Sequence, residues 1–506
     1  MTAGDGERYD VVVVGYGYAG AFAAIEAADA GARVLLLEKS AMPGGISICS
    51  AGGVRTATDA DKAFAYLKAT CGGKTPDPVL RQLASGMTEV HDRLSELARG
   101  TGAHVANRRS PANYPFPGNE TFGFTYVEAI EGFDPTVTWP HVRGAEQGAL
   151  LFRLLQLNVD KRRQLIDVRL ASPVASLVMQ AGAVCGVRLP DGSEVMAGRG
   201  VVLACGGFES DAAMQSQYWP GGPALSAAYS GNTGDGVRMA QAAGADLWHM
   251  WHWHGCYGYR MPGGDYPFGV RVKRLPDWTP DACGGAPGDL PVMPWILLDQ
   301  AGRRFMNEYE PYVQDTGGRA LANFNPARQA YDRNPAWMVT DRAGLAMYPL
   351  GKPTRNDAAA RYDWSSDNRK EVAAGLYNEV ADAKALASVT GADAAIVAGS
   401  IDDWNAACAV ANDARFGRPP SSMHVLQAPY FVAPVVPVVS NTQGGPVHDE
   451  RQRVLTPRGD AIAGLFAAGE CGSAFGHLYM SGGNLAECCI GGAIAGAEAV
   501  RHGGQT

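Results

Sequence analysis

Three glycines and one acidic residue near the amino terminus have the spacing of a dinucleotide-binding site. The glycines are Gly15, Gly17 and Gly20, and the acid is Glu38. A tight turn at Gly15 and a bare backbone at Gly17 let a diphosphate reach free N–H groups, while Gly20 permits close helix packing. Glu38 can accept hydrogen bonds from a ribose 2′-OH, and its charge repels a 2′-phosphate. These residues predict a dinucleotide whose ribose is not phosphorylated.

The segments around these residues have the patterns needed to position them. The continuous apolar run Asp10–Val14 predicts a strand buried on both faces of a parallel sheet. The alanine-rich stretch Ala21–Ala30 predicts a helix that ends at Gly31. A second strand at Arg33–Leu37 carries Glu38 at its end. The order strand, glycine loop, helix, strand and acid is far more specific than the glycine motif alone.

Two further segments favour FAD over a nicotinamide cofactor. Small residues in 43–53, including Gly44, Gly45 and Ser47, let the backbone follow a long ligand. Far downstream, the short apolar run Gly464–Glu470 precedes the glycine-rich loop Ser481–Asn484 and a small-residue helix at 490–500. The start of that helix can turn N–H groups toward a flavin ring. A nicotinamide enzyme has no need of such a carboxyl-terminal unit.

Length and composition restrict the function classes. The chain has 506 residues, which favours two or more domains, and 46% of them are apolar. The formal charge of −8 argues against a nucleic-acid partner. No run approaches the roughly 18 apolar residues of a membrane helix, so we expect no membrane span and a cytoplasmic location. The ten cysteines include no CxxC pair, and we expect reduced thiols.

With these motifs in place, the chain resembles the flavoprotein family of fumarate reductases and 3-ketosteroid dehydrogenases. The resemblance implies an α/β fold, with a Rossmann-like FAD-binding domain in two segments and an inserted α+β catalytic domain that caps it. We place the boundaries at 1–270, 271–439 and 440–506. We expect helices in the insert at Asn368–Ser388 and Ile401–Phe416 and an extended return at Ala428–Val439. The resemblance rests on the segments Asp10–Gly53, Val201–Phe208, Asn232–Gly236, Gly302–Glu308, Thr442–Gly445 and Gly464–Asn484.

The same resemblance implies how FAD is held. Relatives with covalent flavin carry a histidine where this chain has Ile46, and no histidine occurs between Glu38 and Asp59. We therefore expect non-covalent FAD. The residues expected to bind it are Gly15, Gly17, Ala19, Gly20, Glu38, Lys39, Gly44, Gly45, Ser47, Gly52, Gly53, Ala204, Gly206, Asn232, Asp235, Gly469, Glu470, Asn484 and Leu485.

Three positions argue against a dicarboxylate substrate. The fumarate reductase branch has two arginines and a histidine where this chain has Tyr312, Met480 and Asn441. Bidentate arginines are the natural partners of carboxylates, and a dianion is poorly stabilised among neutral groups. We therefore expect a different substrate class.

The ketosteroid branch matches better. It carries the tyrosine of Asn307–Tyr312 and a tyrosine before the glycine-rich loop, here Tyr479. The Δ4-(5α)-dehydrogenases also have a serine two residues on, here Ser481, whereas the Δ1 enzymes share Tyr479 and Gly483 without that serine. Tyr114 is the candidate for a third tyrosine of the branch. The Δ1 regiochemistry stays open as the alternative.

These residues imply a dehydrogenation next to a ketone. The Tyr479 O–H and the Gly483 N–H would hydrogen-bond the carbonyl oxygen and stabilise an enolate-like transition state. Tyr312, relayed through Ser481, would take the α-proton while the β-hydride goes to flavin N5. A free tyrosine has a pKa of ~10, so a base role needs a lowered pKa or a proton relay. We therefore expect a small apolar ketone, steroid-like or otherwise alicyclic, as the substrate.

Other interpretations remain open at this point. An enone or enoate reductase would run the same chemistry backwards, and a flavoprotein that binds FAD without catalysis belongs to another class. A second dinucleotide motif is missing from the sequence, so the electrons would leave to an external acceptor: a quinone, a carrier or oxygen. The histidine-rich run Trp248–His254 is expected to form a strand with an aromatic face rather than a metal site.

Overall fold

The valine-rich strand β1 (Arg8–Val14) lies inside a mainly parallel sheet, and most of its side chains are buried. It is followed by helix α1 (Tyr18–Asp29) and strand β2 (Val34–Leu37). Val12 pairs with Leu35 of β2 on one side and with Val201 of β3 (Glu194–Leu203) on the other. Strand β4 (Ala461–Ala467) extends the sheet in parallel beyond β3. The carboxyl ends of these four strands therefore meet at one edge, where α1 begins.

The computed structural model describes residues 7–273, 275, 291–310, 312 and 316–502, and these form two units. The first unit comprises Met1–Asp211, Tyr229–Trp253 and Asn441–Thr506. Its other helices are Ala60–Cys71, Asp77–Met87, Val90–Ala98, Pro135–Thr138, Glu146–Lys161 and Asp235–Ala242. Its other strands are Val54–Ala57, Ala103–Arg109, Phe122–Ile130, Val142–Arg143, Ile166–Arg169, Ser176–Gln180, Ala183–Arg188, Leu247–Trp248, Gly445–Pro446 and Arg453–Leu455.

The long carboxyl-terminal helix α2 (Gly483–His502) packs directly on α1. A Cβ added at Gly492 would lie 2.5 Å from the Ala19 carbonyl oxygen, and one added at Gly496 would lie 2.2 Å from that of Ala23. Only a glycine at these positions lets the two helix backbones approach so closely. The contact joins the first and last segments of the chain in one unit.

The second unit comprises Ala212–Ala228 and His254–Ser440 and is built on an antiparallel sheet. Its central strand, Tyr430–Thr442, pairs with Ala336–Asp341 and with Asn378–Val380. Its other strands are Leu225–Ser226, Trp253–Arg260, Gly269–Val272, Trp295–Leu298, Gly351–Lys352 and Arg355–Asn356. Its helices are Ala212–Tyr218, Arg342–Met347, Arg369–Ala373, Ala383–Thr390 and Ala394–Ala409.

The predicted fold class is confirmed: a parallel α/β unit in separated segments and an inserted α+β unit. The inserted unit also holds 212–228 and 254–270, which the sequence analysis places in the first segment. The reason is strand pairing, because Leu225–Ser226 joins the central strand and Trp253–Arg260 joins Gly269–Val272. The catalytic role of the insert stays a prediction.

Among the described helices, none is long and apolar enough to cross a membrane.

Two local predictions are wrong. The expected helix Asn368–Ser388 is broken at Gly375, whose φ of 77° ends the helix Arg369–Ala373. The chain then enters the strand Asn378–Val380 before the next helix starts. The run Trp248–His254 does not form one strand, because residues 249–252 turn with His249 at a φ of 54°.

Candidate functional site

A groove at the carboxyl edge of the parallel sheet, about 770 Å³ in volume, begins at the glycine loop. Gly15 has a φ of 107°, and a Cβ there would lie 2.3 Å from the Ala204 carbonyl oxygen. A Cβ at Gly20 would lie 1.8 Å from the Gly15 oxygen. Gly17 precedes α1 and has no side chain to cap it, so first-turn N–H groups are left for an anion. The local geometry fits a diphosphate at this helix end.

Glu38 is 6% exposed, and its carboxylate is fixed by the loops on either side. Oε2 accepts the Tyr16 N–H at 3.0 Å, and Oε1 accepts the Ser40 N–H at 2.8 Å. Each oxygen keeps a second acceptor site for a ribose hydroxyl. Lys39 forms a 2.7 Å ion pair with Asp235 in the same groove. This arrangement fits the adenosine end of a dinucleotide.

The buried Glu470 lines the groove, and the buried carboxyl group of Glu209 is its neighbour. Glu470 Oε1 accepts the Thr442 N–H at 2.7 Å, and Glu209 Oε1 accepts the Asn232 Nδ2–H at 2.6 Å. Burial raises the pKa of Glu470 to about 7. Burial, and then the neighbouring Glu470, raise the pKa of Glu209 well above its usual range. Burial thus favours the protonated form of both carboxyl groups.

The structure brings most of the predicted cofactor residues together. Those that line the groove are Gly15, Gly17, Ala19, Glu38, Lys39, Gly45, Ser47, Ala204, Gly206, Asn232, Asp235 and Glu470. The others, Gly20, Gly44, Gly52, Gly53, Gly469, Asn484 and Leu485, lie outside its lining. Sequence reasoning missed several lining residues, since single apolar or thiol side chains carry no motif: Ile46, Ser172, Val174, Cys205, Tyr229, Met239 and Cys488.

The loop that precedes α2 places Tyr479 against its own backbone. The Gly482 N–H donates to the Tyr479 hydroxyl oxygen at 3.2 Å, and Tyr479 is 5% exposed. That contact fixes the Tyr479 hydroxyl within the glycine-rich loop. The Gly483 N–H instead donates to the Met480 carbonyl at 2.7 Å. In this conformation the Gly483 N–H is engaged within the loop, and the roles predicted for Tyr479 and Gly483 at a carbonyl stay predictions.

A second loop adjoins the Tyr479 loop within the first unit. The Ser481 N–H donates to Asn113 Oδ1 at 3.2 Å, which brings the adjacent Tyr114 to the same region. The Tyr114 backbone is held by Tyr66, whose hydroxyl accepts its N–H at 3.1 Å. Four of the five predicted catalytic residues thus belong to two contacting loops. Arg55, which no sequence motif indicates, donates hydrogen bonds to backbone carbonyls of both loops.

Tyr312, the remaining catalytic candidate, lies in the second unit, next to a buried ion network. Its carbonyl accepts the Thr316 N–H at 2.9 Å. Four residues before it, Glu308 is fully buried and pairs with Arg304 at 2.7 Å and with Arg418 at 3.2 Å. Glu308 also accepts the Leu297 N–H at 3.0 Å. Glu308 is therefore a structural anchor for the segment before Tyr312.

Three buried histidines of the first unit, His249, His252 and His448, bond to backbone carbonyls. His249 Nδ1 contacts the Ser473 oxygen at 2.8 Å, and His252 Nδ1 contacts the Phe475 oxygen at 2.6 Å. His448 Nε2 contacts the Gly472 oxygen at 2.9 Å. Burial lowers the pKa of His249 and of His448. These rings therefore brace the segment that leads to Tyr479.

Comparison with known proteins places the chain in a family. The model of the FAD-binding domain family matches residues 10–485. The chain belongs to this family. FAD is its cofactor, and the chain is an FAD-dependent oxidoreductase of the class that acts on CH–CH groups.

Two curated relatives represent two branches. A Shewanella frigidimarina protein described as a probable fumarate reductase is 26% identical over 99% of this chain and 76% of its own length. The 3-oxosteroid 1-dehydrogenase of Mycobacterium tuberculosis is 28% identical over 69% of this chain and 62% of its own length.

Solved structures share the fold. The 3-ketosteroid Δ1-dehydrogenase of Sterolibacterium denitrificans gives a TM-score of 0.78 at 23% identity, covering 98% of this chain and 100% of that one. The 3-ketosteroid Δ4-(5α)-dehydrogenase of Rhodococcus jostii RHA1 gives 0.67 at 22% identity, covering 99% and 98%. Both were solved with steroid ketones bound. At these identities the likeness concerns the fold.

Proposed function

We propose that the protein introduces a C=C bond α,β to the carbonyl of an alicyclic ketone, most simply a 3-ketosteroid. The observation that carries this proposal is the buried Tyr479 hydroxyl at the glycine-rich loop, whose oxygen accepts the Gly482 N–H at 3.2 Å. A neutral donor suits a carbonyl oxygen that gains negative charge as the α-proton leaves.

Three steps are assigned to this chain's residues. Tyr479 binds the carbonyl oxygen and makes the α-C–H more acidic. A second phenol removes the α-proton, and Tyr312 is assigned this role by the family resemblance, with Ser481 as its relay. Tyr114 contributes to the substrate contact surface of the first unit. Bound FAD supplies N5 as the acceptor of the β-hydride, and an external quinone, carrier or oxygen then takes the electrons.

The neutral side chains around Tyr479 argue against a dicarboxylate. Met480 is fully buried, and Asn441 donates to Asn484 Oδ1 at 2.8 Å. The buried Arg55 donates to backbone carbonyls rather than presenting an open fork for a carboxylate. Fumarate would therefore lack the bidentate arginine contacts that its two charges need.

The bond position is proposed to be Δ4, because Ser481 stands two residues after Tyr479. The alternative is Δ1, supported by the fold likeness to the Sterolibacterium denitrificans enzyme. An enone reductase on the same residues is the runner-up, supported by the fumarate reductase relative.

An acceptor-linked assay tests the proposal. FAD-loaded protein is given saturated and 4-ene 3-ketosteroids with an artificial electron acceptor, and acceptor reduction is measured beside product mass. The proposal expects turnover of the ketones and a product two hydrogens lighter. Reduction of enones by chemically reduced enzyme, without oxidation of any saturated ketone, would favour the reductase instead.

A further inference from the structure

Arg55 is a buried arginine that joins the two loops of the first unit. Arg55 is only 2% exposed. The central carbon of its guanidinium lies 3.7 Å from the centre of the Phe124 ring. Nε donates to the Ser481 carbonyl oxygen at 2.8 Å, and an Nη donates to the Ser110 oxygen at 3.0 Å. The planar guanidinium stacks on the aromatic ring and donates to both carbonyl oxygens at once.

The peptide group between Ser481 and Gly482 connects this cation to Tyr479. Its C=O accepts the Arg55 Nε–H, and its N–H donates to the Tyr479 hydroxyl oxygen. A positive charge at the oxygen of an amide draws electron density from its N–H, which makes that N–H a stronger donor. Hydrogen bonds in such a chain polarise one another, and burial reduces the screening by water.

Backbone contacts also fix the position of this peptide group. The Arg55 N–H donates to the Gly482 oxygen at 3.3 Å. Gly482 has a φ of 76°, and a Cβ there would lie 2.6 Å from the Gly53 oxygen. The peptide that links Arg55 to Tyr479 is therefore fixed from both sides.

We propose that Arg55 is a positioning residue that polarises the Tyr479 hydroxyl through the Ser481–Gly482 peptide, so that Tyr479 stabilises an oxyanion better than an isolated phenol does. This inference rests on the proposed function, in which a carbonyl oxygen gains charge beside Tyr479. It explains how the site can supply a cation's effect to a neutral substrate without placing a charge in contact with it.

The test compares Arg55→Gln, which removes the charge, with Arg55→Lys, which keeps the charge but not the fork. Arg355→Gln is the matched control, because Arg355 is 5% exposed and donates to a backbone carbonyl of Tyr362 in the second unit. A steroid with a phenolic A ring mimics the enolate, and a saturated 3-alcohol mimics the neutral ring. Binding of each to the FAD-loaded variants is followed by the change in flavin absorbance.

We expect Arg55→Gln to lose about tenfold in affinity for the phenol while the alcohol changes by less than about twofold. Arg55→Lys should fall between Arg55→Gln and the unaltered protein. Loss of the charge should raise the pKa of the Tyr479 hydroxyl, so the alkaline limb of the pH–rate profile should move up by roughly one pH unit in Arg55→Gln. Arg355→Gln should leave both the affinity ratio and the profile unchanged.

Equal losses of phenol and alcohol affinity, or an altered melting temperature with an unchanged affinity ratio, would overturn the inference. If Arg55→Gln does not fold, Arg55→Lys and Phe124→Leu give the same comparison, since Leu removes the ring beneath the guanidinium. Failure of the unaltered enzyme to oxidise ketones would overturn the proposed function itself, which separates the two outcomes.

Discussion

At the scale of single residues, the chemistry depends on how the backbone presents Tyr479. A lone tyrosine is usually a packed side chain, and the sequence marks this one only through its family motif. The structure adds its acceptor contact with the Gly482 N–H. It also shows the Gly483 N–H engaged by Met480. Neither hydrogen bond follows from residue types, because both depend on the conformation of a glycine-rich loop.

Tyr479→Phe should lower kcat for ketone oxidation by about 10²–10³-fold, the usual effect of removing one oxyanion donor. The amount of bound FAD should be unchanged, because Tyr479 is not among the residues that line the described cofactor groove. Tyr126→Phe is a suitable control. Tyr126 packs on Gly53 and Phe124, and among the described residues it forms no hydrogen bond with the Tyr479 loop. Steady-state kinetics with a 3-ketosteroid measures the effect, and equal rates in both variants would refute the role of Tyr479.

Gly482→Ala should cost more activity than Gly73→Ala, although both glycines have a φ near 75°. Alanine is strained in this conformation at either position. At Gly482 the new Cβ would also meet the Phe124 ring at 2.5 Å, whereas nothing lies within 4 Å at Gly73. We expect a loss of at least about tenfold in kcat for Gly482→Ala alone. Similar activity in the two variants would show that the loop tolerates displacement.

At the scale of elements, the first cofactor unit was predictable and the loops were not. Strands β1 and β2 and helix α1 follow the predicted order, because buried β-branched runs and an alanine-rich stretch have strong local preferences. The expected helix Asn368–Ser388 failed because Gly375 and the pairing of Asn378–Val380 with the central strand outweigh helix propensity. The contacts of Arg55 were not predictable, because its partners lie more than fifty residues away in the sequence.

The contact between α1 and α2 gives a test of the parallel unit. Gly496→Ala should lower the free energy of unfolding by about 1–3 kcal/mol, since its Cβ would lie 2.2 Å from the Ala23 oxygen. Gly491→Ala on the same helix meets only the side chain of Gln452, at 3.2 Å, and should be neutral or slightly stabilising. Chemical denaturation distinguishes them, and equal stabilities would contradict the close packing of the helices.

At the scale of the whole molecule, a buried acid links stability to pH. Burial raises the pKa of Glu487 to about 8, from the 4.5 of an unperturbed glutamate. The folded chain therefore keeps a proton that the unfolded chain releases between these pH values. The stability should fall as pH rises through this window, by up to roughly 5 kcal/mol, and level off above it.

Unfolding of the cofactor-free protein across this pH range measures the effect. Glu487→Gln should reduce the slope of stability against pH, although its amide must share the space with the Asn484 and Ser473 donors. Glu131→Gln, at an exposed acid, serves as the control and should keep the original slope. An unchanged slope in Glu487→Gln would show that another group carries the proton.

The central claim is that the enzyme removes a hydride and a proton from adjacent carbons of a ring ketone. Anaerobic single-turnover mixing of FAD-loaded protein with a saturated 3-ketosteroid tests it most directly. The account predicts bleaching of the flavin absorbance together with an enone formed in equal amount. Flavin that stays oxidised with such ketones, while reduced flavin is rapidly reoxidised by fumarate, would contradict it.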